Sequence, residues 1–343
     1  MSSSDHGIHS LVAALRRMGL VHVGETPLFT PLTGGVSSLI VLAQTARGLL
    51  CVKQALPRLK VAQEWYAPVA RNRAEVAWLR VAAQIAADGV PTVLGEDAQT
   101  GCFAMAYLDP QAYPVWKTRL KEGVIEPETA RAVAETMAAI HGATADRPDL
   151  AQRFASDDAF YALRLESYFV ATARAHADVA AALHRLVDTT AQTRRVLVHG
   201  DISPKNILVG PRGPVFLDAE CAWYGDPAFD LAFCLNHLLL KCVWHPEHSG
   251  RYLACFAVLA HTYLERVSWE PAPMLEARAA ALLAAMLLAR IDGKSPVEYI
   301  TDERDRGAVR RFAKARLWAA PARLHDIGGD WASEWKREWE RRA

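Results

Sequence analysis

The chain has 343 residues and 51% of them are hydrophobic, which is enough to bury the core of one large or two modest domains. Its 39 Lys and Arg residues nearly balance its 38 Asp and Glu residues. The net charge of +1 provides no broad basic surface for a phosphate backbone, so nucleic acid is not an expected partner.

The cysteines and the apolar runs predict a cytoplasmic protein that does not enter a membrane. The six cysteines form no Cys-x-x-Cys pair and lie mostly inside apolar stretches, which is typical of reduced core residues. The first 20 residues lack the basic region and the cleavage site of a secretory signal. The longest apolar run, Ala279–Ala289, is well short of the roughly 18 residues of a membrane span and indicates a buried helix.

Short strands dominate the sequence from Leu28 to Leu108. The stretches SSLIVLAQT, LLCVKQAL and CFAMAYL have the composition of strands, and the turn ARG separates the first two. One helix is expected among them, from about residue 71 to residue 87, and the stop signal DGVP ends it.

From Asp109 onward the pattern is mainly helical. Pro127 begins one amphipathic helix, and the tail WASEWKREWERR predicts another that docks on the protein. Further helices are expected at about 155–190, 248–268, 273–292 and 304–320. We therefore expect an α+β protein with a β-rich N-terminal lobe, residues 1–108, and a helical C-terminal lobe, residues 109–343. The cleft between the lobes is the expected ligand site.

Three short β-type runs interrupt the helical lobe: VLV at 196–198, ILV at 207–209 and VFL at 215–217. The turn GPRG joins the last two runs and predicts a hairpin. This hairpin would place Asn206 opposite Leu217 or Asp218, where cross-strand Cβ atoms are about 5 Å apart. Asp201 lies on the loop just before it.

An amide oxygen and a carboxylate that converge in this way suit Mg²⁺, which prefers oxygen ligands and keeps positions open for phosphates. Asn206 and Asp218 are therefore candidate metal ligands, and Asp201 is placed to accept a proton from a molecule bound beside the metal. The alternative is that all three are ordinary turn and strand-end residues. Each position alone favours that alternative, but their joint spacing favours the metal site.

Three linked motifs resemble the aminoglycoside phosphotransferase and choline kinase superfamily: HGDISPKN at 199–206, LDAE at 217–220 and GDPAFDLA at 225–232. The resemblance extends over about residues 30–320. It implies a bilobal, protein-kinase-like fold with a small antiparallel sheet and a larger helical lobe. It also implies small-molecule kinase activity, with ATP and Mg²⁺ as cofactors.

The resemblance assigns a role to each residue that matches the motifs. Asp201 is the implied catalytic base, and Asn206 and Asp218 are the implied Mg²⁺ ligands. His199 and Asp230 are implied to support the catalytic loop. Glu220 occupies a variable position that can assist the metal.

The nucleotide side of the expected site depends first on Lys53 and Glu75. Lys53 ends the apolar strand LLCVK on the same face as Cys51, and Glu75 shares a helix face with Trp78 and Leu79. The Lys53 ammonium and the Glu75 carboxylate therefore each need a partner of opposite charge or must reach solvent. Kinase-like folds pair a strand lysine with such a helix glutamate. The alternative is an exposed Glu75 near a frayed helix start.

Two further segments complete the expected nucleotide site. The turn before the first long strand carries Gly34, Gly35, Ser37 and Ser38, whose amides and hydroxyls suit phosphate oxygens, although an ordinary hairpin has the same composition. The resemblance places the interlobe hinge at FAMAYLDP. It implies that Met105 lines the adenine pocket and that the backbone of Ala106, Tyr107 and Leu108 binds the base.

Candidates for binding the phosphate acceptor lie near Asp201 in the helical lobe: Lys205, Trp223, Tyr224, Arg290 and Lys294. Arg290 and Lys294 could hold an anionic group of the acceptor, or they could simply complement a helix dipole. The carboxylates after Asp230 are scattered, so we identify no acidic cluster of the kind that binds aminoglycosides. Sugars, amino alcohols and related hydroxyl compounds therefore stay open as acceptors.

The sequence thus predicts an ATP- and Mg²⁺-dependent kinase of a small hydroxyl compound. A nucleotide-binding pseudokinase is one alternative, but Lys53, Asp201, Asn206 and Asp218 are all present. A protein kinase is another, but HGD replaces the HRD motif, DAE replaces DFG, and no APE motif follows.

Overall fold

The computed structural model describes residues 3–32, 38–56, 71–320 and 322–340. Its N-terminal lobe contains a five-stranded antiparallel sheet in the order β1-β2-β3-β5-β4. The strands are β1 (Leu28–Pro31), β2 (Ser38–Thr45), β3 (Gly48–Ala55), β4 (Val93–Asp97) and β5 (Cys102–Ala106). The described residues of this lobe also form the helices α1 (Ser3–Arg17) and α2 (Arg71–Ile85).

Successive side chains of strand β3 point to opposite faces of the sheet and pack in two different hydrophobic clusters. Val52 packs in one cluster with Leu15 of α1, whereas Cys51 packs in the main core with Val76 of α2. Because side chains two residues apart share a face, Lys53 is on the side of Cys51. The register of the sheet therefore directs the Lys53 side chain toward α2.

The C-terminal lobe is mainly helical. Its helices are α3 (Trp116–Lys121), α4 (Pro127–Thr144), α5 (Pro148–Arg153), α6 (Asp157–Phe160), α7 (Ala171–Ala175), α8 (Ala180–Gln192), α9 (Pro227–Trp244), α10 (Ser249–Glu265), α11 (Ala272–Asp292), α12 (Glu303–Ala319) and α13 (Leu324–Glu340). A π-helical stretch, Tyr161–Val170, connects α6 to α7. Helix α9 is buried along almost its whole length and forms the centre of the lobe.

Within the described part of the chain, α11 alone is long and apolar enough to cross a membrane by length and composition. Its most apolar 18-residue window is 61% buried inside the protein. The helix packs against α9 and α12. This burial is typical of a core helix, as the sequence predicted for the same apolar run.

Two small sheets hold the motif-bearing loops of the helical lobe. Strand β6 (Val196–Val198) pairs with β9 (Trp223–Gly225), and β7 (Ile207–Gly210) pairs with β8 (Gly213–Phe216). The predicted hairpin is β7–β8, closed by the predicted turn. Beyond its end, the amide of Leu217 donates a hydrogen bond to the carbonyl oxygen of Asn206 at 2.9 Å, so these two residues are opposite each other as expected.

The predicted α+β architecture, with a small antiparallel sheet and a larger helical lobe, is confirmed. The sequence did not predict α1 or β9. All six cysteines are buried and free, as expected. Strand β5 ends at Ala106 and α3 begins at Trp116; the lobe boundary between residues 108 and 109 stays a prediction.

Candidate active site

The backbone of the loop that carries Asp201 is hydrogen-bonded to Asp230, in the first turn of α9. The two carboxylate oxygens of Asp230 accept hydrogen bonds from the backbone amides of His199 and Gly200, at 2.7 and 2.8 Å. Asp230 is completely buried, and His141 Nε2 lies 3.3 Å from one of its oxygens. Gly200 has a φ of +80°, and a Cβ there would lie 2.6 Å from the carbonyl oxygen of Cys221. The loop conformation therefore requires glycine at this position.

The imidazole of His199 joins this loop to the strand end at Asp218. Its Nδ1 accepts a hydrogen bond from the amide of Asp201 at 3.1 Å, so the proton is on Nε2, which donates to the carbonyl oxygen of Leu217 at 3.1 Å. Burial lowers the pKa of His199 and keeps the ring neutral, as this tautomer requires. His199 and Asp230 thus hold the backbone of the loop that carries Asp201.

The Asp201 carboxylate is contacted by two cations. Its Oδ2 lies 3.2 Å from Lys205 Nζ and 3.2 Å from Arg164 Nη2. The side-chain amide of Asn206 donates to the backbone oxygen of Asp201 at 3.1 Å. Because the side-chain nitrogen of Asn206 faces the loop, its side-chain oxygen, Oδ1, has no hydrogen-bond partner among the described residues.

Lys53 connects the two lobes at the site. Its ammonium lies 2.7 Å from Glu75 Oε2 on α2 and contacts the Asp218 carboxylate of the helical lobe. Burial opposes the charge of Lys53, but Asp218 and Glu75 outweigh it, so the pKa of Lys53 is raised and the ammonium stays charged. Burial likewise opposes ionisation of Asp218, but Lys53 and Lys205 hold its pKa below its ordinary value. Lys53, Glu75 and Asp218 therefore form one contiguous charged cluster.

The oxygen groups of this site fit Mg²⁺. The Asp218 carboxylate and the side-chain oxygen Oδ1 of Asn206 are hard ligands, and Asp218 has φ +69°, a conformation that aspartate tolerates better than most residues. Within the described ranges, no group of three or more His, Cys, Asp or Glu side chains is arranged to hold a metal. A metal held by Asp218 and Asn206 would keep several positions for phosphate or water, as Mg²⁺ commonly does. Glu220 lies nearby but is paired with Arg71 at 3.0 Å.

The remaining nucleotide candidates have different placements. Gly34, Gly35 and Ser37 lie outside the described residues. Ser38 begins β2 and is buried, with no hydrogen-bond partner for its hydroxyl among the described residues. The nucleotide contacts expected of these four positions stay a prediction.

At the expected hinge, one of the backbone amides proposed to bind the base already has a partner in the protein. The amide of Ala106 donates to the carbonyl oxygen of Thr92 at 2.9 Å, so it is already used inside the sheet. Met105 is buried opposite Cys51 in β5. Tyr107 and Leu108, which follow the strand and are half-buried, are the better candidates for backbone contacts to a base.

The structure places Trp223 and Tyr224 in the core instead of a substrate wall. Both belong to β9, which pairs with β6, and both side chains are buried in the helical lobe. Trp223 stacks on Phe160 at 4.3 Å between ring centroids, and its indole nitrogen donates to Asp157 at 2.5 Å. The Tyr224 hydroxyl is bonded to backbone groups, including the carbonyl oxygen of Arg195 at 2.9 Å. The sequence could not reveal this role because β9 was not predicted.

Lys205 and Arg290 lie together, whereas Lys294 points elsewhere. Lys205 and Arg290 line one small cleft beside the catalytic loop. The ammonium of Lys294 instead pairs with Glu166 at 2.6 Å and is substantially exposed. Of the three basic candidates, Lys205 and Arg290 are therefore the two that the structure brings together.

Sequence reasoning missed Arg164. It belongs to the π-helical stretch and is buried, where its guanidinium contacts both Asp201 and the carbonyl oxygen of Gly200. π-Helical insertions are often found at functional sites. The available signal was a single arginine within the largely apolar run YALRLESYFV, a position where a buried charge needs an anion.

Comparisons with known proteins identify the family of the chain. A model of the phosphotransferase enzyme family matches residues 29–241, more than half of the chain. Methylthioribose kinase 2 of Oryza sativa subsp. japonica is 25% identical over 247 residues, which cover 63% of this chain and 57% of that protein. The chain thus spans less than two thirds of the length of this curated relative.

Solved structures share the fold at low sequence identity. Plasmodium vivax ethanolamine kinase superimposes with a TM-score of 0.57 and 13% identity, covering 93% of this chain and 89% of that one. Amicoumacin kinase in complex with AMP-PNP and Ca²⁺ superimposes with a TM-score of 0.55 and 13% identity, covering 95% of this chain and 100% of that one. The match to the family model and the shared fold lead to one conclusion. The chain belongs to the phosphotransferase enzyme family.

Proposed function

We propose that this protein is an ATP-dependent kinase that phosphorylates a hydroxyl group of a small molecule. The observation that carries the proposal is the convergence of four side chains from both lobes. Lys53 contacts Asp218, and Asn206 contacts the loop of Asp201. Protein kinases use the same residue types, in the same chain order, for phosphate binding, base and metal ligation.

Each residue has a definite role in the proposed mechanism. Lys53, oriented by Glu75, would bind the α- and β-phosphates of ATP. Asn206 Oδ1 and the Asp218 carboxylate would hold Mg²⁺, which when bound supplies charge neutralisation to the triphosphate. Binding and charge neutralisation of this kind are the main means by which enzymes accelerate phosphoryl transfer.

In the chemical step, the acceptor oxygen forms a bond to the γ-phosphorus of ATP while the bond from that phosphorus to the β–γ bridging oxygen breaks. The hydroxyl proton passes to the Asp201 carboxylate, and ADP leaves with the bridging oxygen. Lys205 and Arg164 fix the orientation of Asp201 and add positive charge where the transferred group carries negative charge.

A small acceptor is favoured over a protein acceptor. Only the short segment 219–226 separates Asp218 from α9, and its strand β9 is buried in the core. A protein kinase uses a much longer segment at this point to bind a peptide. The related methylthioribose kinases act, by their name, on a modified sugar, so a sugar-like hydroxyl compound is a suitable first acceptor to test.

The pseudokinase alternative is less well supported. Such a protein would be expected to lack one of the residues that bind phosphate, metal or the acceptor proton. This chain has all four of them: Lys53, Asp201, Asn206 and Asp218. Lys53 contacts Glu75 and Asp218, and the side-chain amide of Asn206 donates to the backbone oxygen of Asp201.

The test is a coupled ADP-release assay with ATP and Mg²⁺ against a library of sugars, amino alcohols, aminoglycosides and other hydroxylated metabolites. Turnover that Asp201→Asn abolishes would support the proposal. ATP binding without turnover of any member, together with an unchanged background rate in Asp201→Asn, would contradict it. Incorporation of labelled phosphate into casein in place of small acceptors would favour the protein-kinase alternative.

A further inference from the structure

A small cleft beside the catalytic loop carries an excess of positive charge. Its volume is about 40 Å³, which is room for a few non-hydrogen atoms and not for a whole metabolite. Its lining includes four cations and one carboxylate: Lys117, Lys205, Lys241, Arg290 and Glu298. These side chains come from α3, the catalytic loop, α9, α11 and the segment after α11.

Two of the four cations already have a carboxylate partner. Lys117 pairs with Glu298. Lys205 pairs with Asp201 at 3.2 Å, which also shows that the cleft adjoins the proposed catalytic base. The remaining two cations are Lys241 and Arg290.

Lys241 is the more deeply buried of these two. It is 1% exposed, and its ammonium lies 5.0 Å from the ring centroids of both Trp244 and Tyr299. Across the residues that the structure describes, these two ring contacts are the interactions of this ammonium, which makes no ion pair and no hydrogen bond there. Two aromatic faces do not replace a counterion for a buried charge.

The environment of Lys241 reflects this shortage of negative charge. Burial, and then the charge of Lys117, lowers the pKa of Lys241 to about 7, with Glu298 acting in the opposite direction and Arg290 in the same one. His237 faces the same cleft and is kept neutral, because burial and then Arg290 lower its pKa.

Arg290 and its neighbours also present unused donors. Its Nη1 donates to the backbone oxygen of Ser295, to Ser295 Oγ at 3.0 Å and to Tyr168 Oη at 3.3 Å, all neutral groups. Its Nε is buried without a partner among the described residues, as are His237 Nε2 and the Tyr299 hydroxyl. An anion in the cleft would supply acceptors for the donors of Arg290 and Tyr299.

We propose that the acceptor carries a carboxylate or phosphate group, which binds Lys241 and Arg290 in this cleft while its hydroxyl reaches Asp201. The inference rests on the proposed kinase function and names the substrate class for the same site. A buried cation without a counterion costs free energy that an anionic ligand removes. Lys205, which touches both Asp201 and the cleft, fixes the acceptor between them.

The anionic group takes no part in the chemistry. The acceptor hydroxyl forms the bond to the γ-phosphorus, the bond to the β–γ bridging oxygen breaks, and the hydroxyl proton goes to Asp201. The carboxylate or phosphate of the acceptor enters and leaves unchanged, so its contribution appears in acceptor binding.

The test uses two sets of acceptors. Within each set the compounds share a carbon skeleton and differ in charge. ADP release is measured with glucose, gluconate, glucose 6-phosphate and glucosamine, and with glycerol, glycerate and glycerol 3-phosphate. The carboxylates and the phosphates are separate arms that distinguish the two sources of negative charge. The variants are Lys241→Met and Arg290→Gln, and the matched control is Lys121→Gln, an exposed lysine in α3.

We expect an anionic member of a set to have a higher kcat/KM than its neutral and cationic counterparts. Because Lys241→Met removes a hydrogen-bonded charge, it should raise the KM of that acceptor by about 10–100-fold. The KM for ATP should change less than about twofold, and Lys121→Gln should change neither constant.

A second measurement covers the case in which none of these acceptors is turned over. Acetate and inorganic phosphate are titrated calorimetrically into the protein saturated with ADP and Mg²⁺, and binding to the parent should be weakened in Lys241→Met. Equal binding to both proteins, or no binding to either, overturns the inference. A preference for neutral or cationic acceptors also overturns it but leaves the kinase function intact, whereas loss of ATP binding and of all turnover would contradict the kinase function itself.

Discussion

Replacing Asp230 with Asn tests whether its carboxylate positions the catalytic loop. Each carboxylate oxygen accepts one backbone amide, from His199 at 2.7 Å and from Gly200 at 2.8 Å. In Asp230→Asn one of these oxygens becomes an NH₂ group, which faces an amide donor. One backbone amide then loses its acceptor, and the other loses the charge of its acceptor.

The expected loss of stability follows from these two bonds. Hydrogen bonds to a charged group contribute about 1.5–3 kcal/mol, and a buried donor without a partner costs about 1–3 kcal/mol, so the free energy of unfolding should fall by about 2–4 kcal/mol. Unfolding entropy is about 2.1 cal/mol/K per residue, or about 0.7 kcal/mol/K for this chain, which makes the decrease in Tm about 3–6 °C. Differential scanning calorimetry measures both quantities.

The catalytic effect separates a positioning role from a merely structural one. We expect kcat of Asp230→Asn to fall at least about tenfold, equivalent to about 1.4 kcal/mol, because the amide of Asp201 is two residues from His199 on the displaced loop. The KM for ATP should change little. Leu259→Ala, in the fully buried part of α10, should lose about 2–5 kcal/mol of stability without this change in kcat, measured well below both Tm values. Equal kcat values for the two variants would refute the reasoning.

Three further predictions concern the same site. Asp201→Asn should lower kcat by about 10²–10⁴-fold, because a general base is lost, while calorimetry still detects ATP binding; a rate within about tenfold of the parent would show that Asp201 is not such a base. Asp218→Asn should sharply raise the Mg²⁺ concentration needed for half-maximal rate, and Asn206→Ala should raise it less, because the first loses a charged ligand and the second a neutral one. Unchanged Mg²⁺ titrations in both variants would argue against the metal assignment. With an anionic acceptor, KM should be low below pH 7 and rise by up to about tenfold per pH unit above it, because Lys241, with a pKa of about 7, loses its charge. Lys241→Met should remove this dependence, and a parent profile that is flat from pH 6 to 9 would oppose the role of Lys241.

The parts of the site that could be predicted from sequence are those set by local patterns. Asn206 lies opposite Leu217 because a four-residue turn and two short strands fix the register of the hairpin. Lys53 meets Glu75 because the period of two in β3 and the helical period in α2 direct both side chains to one interface. In each case a short stretch of chain specifies the geometry.

Features that depend on distant pairing were missed or placed wrongly. Trp223 was expected in the acceptor site because it follows the metal motif, but pairing of β9 with β6 buries it against Phe160. Arg164 was missed because its partner, Asp201, is on a different element and the π-helical stretch that presents it has no distinctive sequence signal. Proximity along the chain is therefore a weak guide to the walls of this pocket.

The small cleft beside Asp201 shows why average charge is a poor guide to local charge. A net charge of +1 over 343 residues correctly excludes a broad basic surface, yet it says nothing about where individual cations lie. Lys117, Lys205, Lys241 and Arg290 come from four separate elements and share a cleft with one carboxylate, Glu298. Sequence reasoning argued against a polycationic acceptor from the scatter of acidic residues after Asp230. The folded chain adds a direct physical reason. A cationic acceptor brought next to Lys241 and Arg290 would meet like charges that lack a counterion among the described residues, whereas an anionic one would neutralise them.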